Sequence, residues 1–290
     1  MKVSKIVQAK REEGKPVLSF EIFPPKKEEA LKNIDATLEK LCDLHPDFIS
    51  ITFGAGGSGT NNRTVDLAKK IKEDYDIEPL VHLTCISHSK EEIKAILQQM
   101  KEAGLQNVLA LRGDVNPNVP VKEDFKYASE LVAFIKEQGD FHISGACYPE
   151  GHVESSNKTE DITHLKEKVE AGCDFVTTQM FFDNNILYNY LYRIRERGIT
   201  VPVIAGIMPV TNVSQIKRIC QMSGTYLPSR FKAIVDRFGH NPAAMRQAGI
   251  AYATEQIIDL IANGVNGIHI YSMNKPEVAR RIQDSLSEIL

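Results

Sequence analysis

This sequence predicts a (β/α)8 barrel, and three observations carry that reading. Short β-branched runs alternate eight times with amphipathic helical stretches along the chain. No linker, low-complexity segment or composition break divides the 290 residues, so 1–290 read as one domain. No GxGxxG turn follows the first strand, so the dinucleotide fingerprint of the competing doubly wound sheet is missing.

The first strand, Val17–Phe23, is an apolar, β-prone run with one carboxylate, Glu21, and it stops at Pro24-Pro25. Proline cannot donate to a sheet ladder and restricts the residue before it, so the pair ends the strand. Glu21 therefore sits near the carboxyl end of a mostly buried strand. Unless a buried Arg or Lys pairs with it, burial raises its pKa and makes it a candidate general acid. The other strands are Phe48–Phe53, Pro79–Cys85, Asn107–Arg112, His142–Tyr148, Phe175–Phe181, Val203–Met208 and Gly267–Met273. The helices that follow are Lys27–Leu44, Asn62–Tyr75, Lys90–Ala103, Asp124–Gln138, Thr159–Ala171, Asn184–Arg197, Val213–Met222 and Pro276–Ile289. An extra helical region, Pro228–Asn263, separates strands seven and eight. Gly239-His240-Asn241-Pro242 breaks it in two, with Pro242 suited to a first helical turn. Gly104, Gly172, Gly198 and Gly264 each follow a helix and read as left-handed caps leading into the next strand.

Barrel chemistry sits where strands end and βα loops begin. Reading those positions gives Glu21, Thr52 and the run Gly54-Ala55-Gly56-Gly57, His82, Arg112-Gly113-Asp114, Tyr148 with Glu150 and His152, Thr178-Gln179, Gly206 to Pro209, and Tyr271 to Asn274. Polar groups at nearly every strand end describe a lined bowl. Each also has a plainer reading. The glycine run suits a turn, and it lacks the GxxxxGK[ST] form of a P-loop. His82 suits a satisfied core histidine, Asp114 a turn cap and Phe181-Phe182 the core. Glu150 and His152 alone are too few for a metal.

The net charge of −3 and pI near 6.3 argue against a nucleic-acid partner. No apolar run approaches the roughly 18 residues that span a bilayer, and residues 1–5 lack a signal-peptide core. A cytoplasmic protein is expected. Cys42, Cys85, Cys147, Cys173 and Cys220 are odd in number and form no CxxC pair, which argues against disulfides, zinc and iron–sulfur sites. They are expected to be small buried thiols.

Six segments occur in family order: Ser19-Phe20-Glu21-Ile22-Phe23-Pro24-Pro25, His82-Leu83-Thr84-Cys85, Ala110-Leu111-Arg112-Gly113-Asp114, Tyr148-Pro149-Glu150-Gly151-His152, Thr178-Gln179-Met180-Phe181-Phe182-Asp183 and Gly206-Ile207-Met208-Pro209-Val210. On these the chain resembles the methylenetetrahydrofolate reductases, over about Ser19 to Asn274, and it has the length of the bacterial form. The resemblance implies FAD at the carboxyl ends of the strands. It also implies NADH or NADPH as electron donor and ping-pong reduction of 5,10-methylenetetrahydrofolate to 5-methyltetrahydrofolate. It assigns Glu21 as the general acid and Asp114 to the flavin N1–C2 edge and the pterin. Gln179, Tyr271 and Lys275 fall to the substrates. For FAD it assigns Thr52, His82, Arg112, Gly113, Asp114, Tyr127, Ala128, Tyr148, His152, Asp161, His164 and Lys168. No metal is implied.

The chain departs from the bacterial pattern at four positions. Glu167 stands where an Arg often helps to bind the FAD phosphates, and His164 where an Asn does. Ile219 falls near a substrate-packing Phe, and Lys275 replaces an Arg, which binds carboxylates more directionally. Family members commonly form dimers or tetramers, so a homo-oligomer is expected. In an alternative reading, the chain is a catalytic subunit that takes its electrons from a partner subunit. An aldolase would need a Schiff-base lysine at a strand end, and none of the eight strands offers one.

Overall fold

The computed structural model describes residues 2–24, 28–53 and 58–290. Pro25, Lys27 and the run Gly54-Ala55-Gly56-Gly57 lie outside the described residues. Eight parallel strands close into a barrel in sequence order: β1 (Val17–Ile22), β2 (Phe48–Ile51), β3 (Glu78–Thr84), β4 (Asn107–Leu111), β5 (His142–Cys147), β6 (Phe175–Thr178), β7 (Val203–Ile207) and β8 (Gly267–Tyr271). The ring is sealed by β1 pairing with β8, Glu21 opposite Tyr271. All eight expected strands are present. Most end one or two residues short of the apolar run that marked them, and β6 ends three short.

The chain opens with a helix that the sequence reading did not assign, α1 (Val3–Glu12). Around the barrel run α2 (Glu28–Cys42), α3 (Ser58–Tyr75), α4 (Lys90–Glu102), α5 (Ala128–Gln138), α6 (Lys158–Glu170), α7 (Asn184–Glu196) and α8 (Val213–Ser223). Then come α9 (Ser229–Phe238), α10 (Pro242–Ala262) and α11 (Pro276–Asp284). Helix α5 begins four residues later than expected, and α3 begins at Ser58, four residues earlier. The break between α9 and α10 falls at the expected Gly-His-Asn-Pro. The Asn241 side chain accepts from the Ala243 and Ala244 N–H groups, and Pro242 occupies the first turn. Gly104, Gly172, Gly198 and Gly264 all have positive φ, as their cap positions require.

Three packing regions follow from strand alternation. Outward residues such as Leu18, Phe20 and Ile22 join the helices in the main core. Inside the barrel, Val17, Phe48, Leu80, Leu109, Phe175 and Ile204 form a plug, closed by Val3 and Val7 one turn apart on α1. Helix α1 is tied down by the Val3 N–H donating to Asn107 Oδ1 (2.9 Å) and by Lys10 pairing with Asp47 (2.8 Å). A third cluster joins α8, α9 and α10 to the loop after β6. There Phe182 stacks on Phe231 and Phe231 on Tyr252, and the Tyr252 hydroxyl donates to the Phe182 carbonyl (2.6 Å). The Phe181-Phe182 pair is therefore core. Cys42, Cys85, Cys147 and Cys173 are buried free thiols, each pushed up to about 12 chiefly by burial, and Cys220 is half-buried.

Candidate active site

Above the apolar plug the barrel interior turns polar. Ser19 and Glu21 share the inward face of β1 because side chains alternate along a strand. His269 and Tyr271 do the same on β8. His269 has both ring nitrogens engaged, Nδ1 with Ser19 Oγ (2.8 Å) and Nε2 with Ser50 Oγ (3.2 Å). Burial drives its pKa down to about 3, with His82 adding to the shift. This layer was missed in the sequence, although each member lies two residues from, or pairs in register with, a residue that was found.

Glu21 is the penultimate residue of β1, with its side chain 18% exposed. Burial pushes its pKa up to about 8, so the carboxyl keeps its proton at neutral pH. No Arg or Lys pairs with it among the described residues. One ionisable group within reach is His82, whose Nε2 lies 3.8 Å from Glu21 Oε2. His82 is buried and driven down to about 3, hence neutral. Among the described residues its Nε2 has no hydrogen-bond partner, which departs from the satisfied core histidine that the sequence also suited.

Tyr271 lies across the barrel mouth, coupled electrostatically to Glu21 and Tyr148, and its own pKa is raised by burial. Its hydroxyl donates to the Thr178 carbonyl (2.7 Å). The contact passes over Gly206, where a Cβ would stand 2.6 Å from the Tyr271 hydroxyl. Gln179 follows β6, and its side-chain oxygen accepts from the Met180 N–H (3.0 Å). Lys275 caps α11 and donates to Thr211 Oγ1 (2.9 Å). The Thr52 N–H donates to the Ile22 carbonyl (3.0 Å).

Beside the mouth, between the loops after β4 and β5, a cavity of about 250 Å³ is lined by Arg112, Tyr127, Ala128, Tyr148, His152, Asp161, His164 and Lys168. These are eight of the twelve positions assigned to FAD by resemblance. The cleft is built from both ends of the chain's local logic. Helix α5 opens at Ala128, so the N-terminus of a helix faces the cavity. Helix α6 lines it with Asp161, His164 and Lys168. Lys168 Nζ donates to the Ala146 carbonyl (2.7 Å). Asp161 is buried, raised by that burial, and accepts from the His152 N–H (3.2 Å). Tyr127 stacks on His164, and Tyr148 meets His152 edge-on. His164 Nδ1 lies 3.3 Å from Glu167, so the two departures from the bacterial pattern contact each other.

Gly113 and Asp114 follow β4. Gly113 has φ +88°, and a Cβ there would press on Thr84, so the turn beside the cleft needs glycine. Asp114 is exposed and acts electrostatically on Arg112 and Tyr148. Arg112 is held by Glu154, which the sequence reading did not single out, through two bonds of 2.6 and 2.7 Å. Glu150 leaves the site altogether and accepts from the Tyr226 N–H (2.9 Å). Among the described residues no three His, Cys, Asp or Glu side chains group as metal ligands, and no helix is long and apolar enough to cross a membrane.

A barrel with a mostly buried carboxyl at its mouth and an aromatic cleft of mixed charge beside it belongs to the class of (β/α)8 proteins with a mouth-centred site. The family model for methylenetetrahydrofolate reductase matches residues 5–287. The chain is 35% identical to the 5,10-methylenetetrahydrofolate reductase of Pectobacterium carotovorum subsp. carotovorum over 94% of this chain and 91% of that one. It is 36% identical to a probable methylenetetrahydrofolate reductase (NADH) of Oryza sativa subsp. japonica, over all of this chain and 51% of that protein. Among solved structures, an uncharacterized protein from Clostridium thermocellum that binds two copies of 5-methyl-5,6,7,8-tetrahydrofolic acid superposes with a TM-score of 0.61. It shares 15% identity over 97% of this chain and 98% of that one, a likeness of fold. The chain belongs to the methylenetetrahydrofolate reductase family.

Proposed function

We propose that residues 1–290 form one cytoplasmic catalytic domain that reduces 5,10-methylenetetrahydrofolate to 5-methyltetrahydrofolate, using FAD and NADH or NADPH. The observation that carries this reading is the Glu21 carboxyl at the barrel mouth, mostly buried and without an Arg or Lys partner among the described residues, so that burial pushes its pKa up to about 8. Opening the methylene bridge to an N5 iminium ion needs a proton at N10, and a carboxylic acid still protonated at neutral pH can supply it.

The cleft suits FAD. Arg112, Lys168 and the N-terminus of α5 are cationic or donor groups fit for phosphates. Tyr127, Tyr148 and His152 offer aromatic surface. When bound, FAD supplies the hydride relay, in which NAD(P)H and folate occupy the same mouth in turn. Asp114 contributes negative charge, which disfavours an anionic reduced ring and attracts the cationic iminium. Gln179, with its oxygen held by Met180, presents its NH2 to a carbonyl of folate or the nicotinamide. Tyr271, its hydroxyl engaged, offers a ring face. Lys275 offers a point charge to a carboxylate or phosphate.

The test separates the half-reactions. Purified protein is expected to be yellow and to bleach anaerobically with NADH or NADPH. Glu21→Gln is expected to keep that bleaching and to lose about 10²–10⁴-fold in folate reduction. Normal rates in both half-reactions would remove the acid assignment, and a preparation that cannot take up FAD would remove the reading. If chemically reduced protein turns over folate but neither nucleotide bleaches it, the donor is a partner subunit.

A further inference from the structure

The acid at the mouth has an unused neighbour. His82 stands on the inward side of β3, 6% exposed, and its Nε2 is shielded from water with no hydrogen-bond partner among the described residues. Protein interiors pair nearly all such atoms, because an unpaired buried acceptor forfeits its hydration for nothing. Glu21 Oε2 lies 3.8 Å from it. The neighbouring His269 shows the contrast, since serines occupy both its ring nitrogens. The Glu21 backbone is fixed by its pairing with Ser50 and Tyr271 and by Ser272 Oγ donating to its carbonyl (2.6 Å). Reaching hydrogen-bond distance therefore requires only a side-chain adjustment of about 1 Å.

Resting on the general-acid reading above, we propose that His82 Nε2 accepts a hydrogen bond from the protonated carboxyl of Glu21 and is the positioning residue for the acid. A protonated carboxyl has one O–H to give, and a neutral imidazole has one ring nitrogen to receive it. Among the described residues, the titratable groups that face the pair both come from β8, Tyr271 toward Glu21 and His269 toward His82. Moving the proton onto His82 would create two charges inside the barrel, which burial opposes. The proton stays on Glu21, available to N10. Once it is delivered, a carboxylate faces the nitrogen lone pair, and that repulsion favours taking a proton back from water. The acid is thereby reset.

The experiment follows the protonated-carboxyl C=O stretch of Glu21 by infrared difference spectroscopy, wild type against Glu21→Gln, titrated on the purified protein without folate or nucleotide. In His82→Leu the midpoint is expected to fall by about one unit, a tenfold loss of proton affinity. His82→Gln, whose amide oxygen can accept the same bond, is expected to restore the wild-type midpoint. His82→Asn, which is too short to reach, serves if the leucine variant does not fold and is expected to shift as leucine does. An unmoved or raised midpoint in both Leu and Asn variants overturns the proposal, as does an unmoved midpoint accompanied by lost FAD affinity, which would give Nε2 to the cofactor. The readout needs no turnover, so a failure to reduce methylenetetrahydrofolate would strike the functional reading and leave this pair to be judged separately.

Discussion

The two ends of the barrel interior are built from the same strands and do opposite things. At the amino end, Val17, Phe48, Leu80, Leu109, Phe175 and Ile204 meet Val3 and Val7 in a closed apolar plug. Toward the carboxyl end, two residues further along the same inward faces, Ser19, Ser50 and His82 replace them, and Glu21 follows two residues beyond Ser19. The first layer stabilises through burial. The second opposes that stabilisation by holding titratable groups away from water, which shifts the acid up and the histidines down. The plug makes the polar layer affordable, and the polar layer makes the barrel reactive.

Breaking the plug should have the largest effect on stability. Phe175 packs edge-on against Phe48 with ring centroids 6.3 Å apart. Phe175→Ala is expected to cost about 3–5 kcal/mol in urea unfolding. Folate reduction per folded molecule should hold within a few-fold, and a large loss there would show that the two layers are not separable.

The polar layer should write itself into the pH dependence of stability. The folded state binds the Glu21 proton more tightly than the unfolded chain, with a pKa of about 8 against 4.5. Its contribution is therefore full below pH 4.5 and is lost as pH rises through 8. Glu21→Gln should remove that slope, gaining about 2–4 kcal/mol on the wild type between pH 5 and 9 once the partial exposure of the carboxyl is allowed for. His82 and His269, held near 3 against 6.5, act in the opposite sense. Their contribution is present above pH 6.5 and is lost as pH falls toward 3. Parallel unfolding curves for the two proteins across this range would contradict a protonated Glu21.

The smallest expected effect sharpens the boundary at the mouth. Gly206→Ala places a methyl against Thr178 and Tyr271. It is expected to cost about 1–3 kcal/mol and to displace the Tyr271 ring, so the KM for folate should rise more than kcat falls. Unchanged KM would separate Tyr271 from substrate binding.

Much of this was legible in the chain, for identifiable reasons. The short β-branched runs alternating with helical stretches marked all eight strands, glycines at four helix ends marked the approach to the next strand, and Pro24 with the apolar run placed Glu21 near a strand end. Strand ends were drawn too long at Phe181 and Met273, since apolar runs continue after the ladder stops. Phe181 remains apolar because α10 covers it, with Gln256 donating to its carbonyl. Helix α1 escaped notice because its two plug valines are too few to make a periodic signal. Glu154 was invisible because nothing in a loop sequence says which arginine it will meet.

Local rules acting along the chain were enough to specify alternation, caps, strand count and the residue types at each strand end, because those depend on neighbours one to four positions away. Closure of the barrel decided the rest. It set Glu21 opposite Tyr271 across a seam of 250 residues, left His82 Nε2 beside the acid with no hydrogen-bond partner among the described residues, and gathered two loops and two helices into the cleft. Solvent exclusion is a property of the closed assembly, and the raised pKa of Glu21 is its consequence.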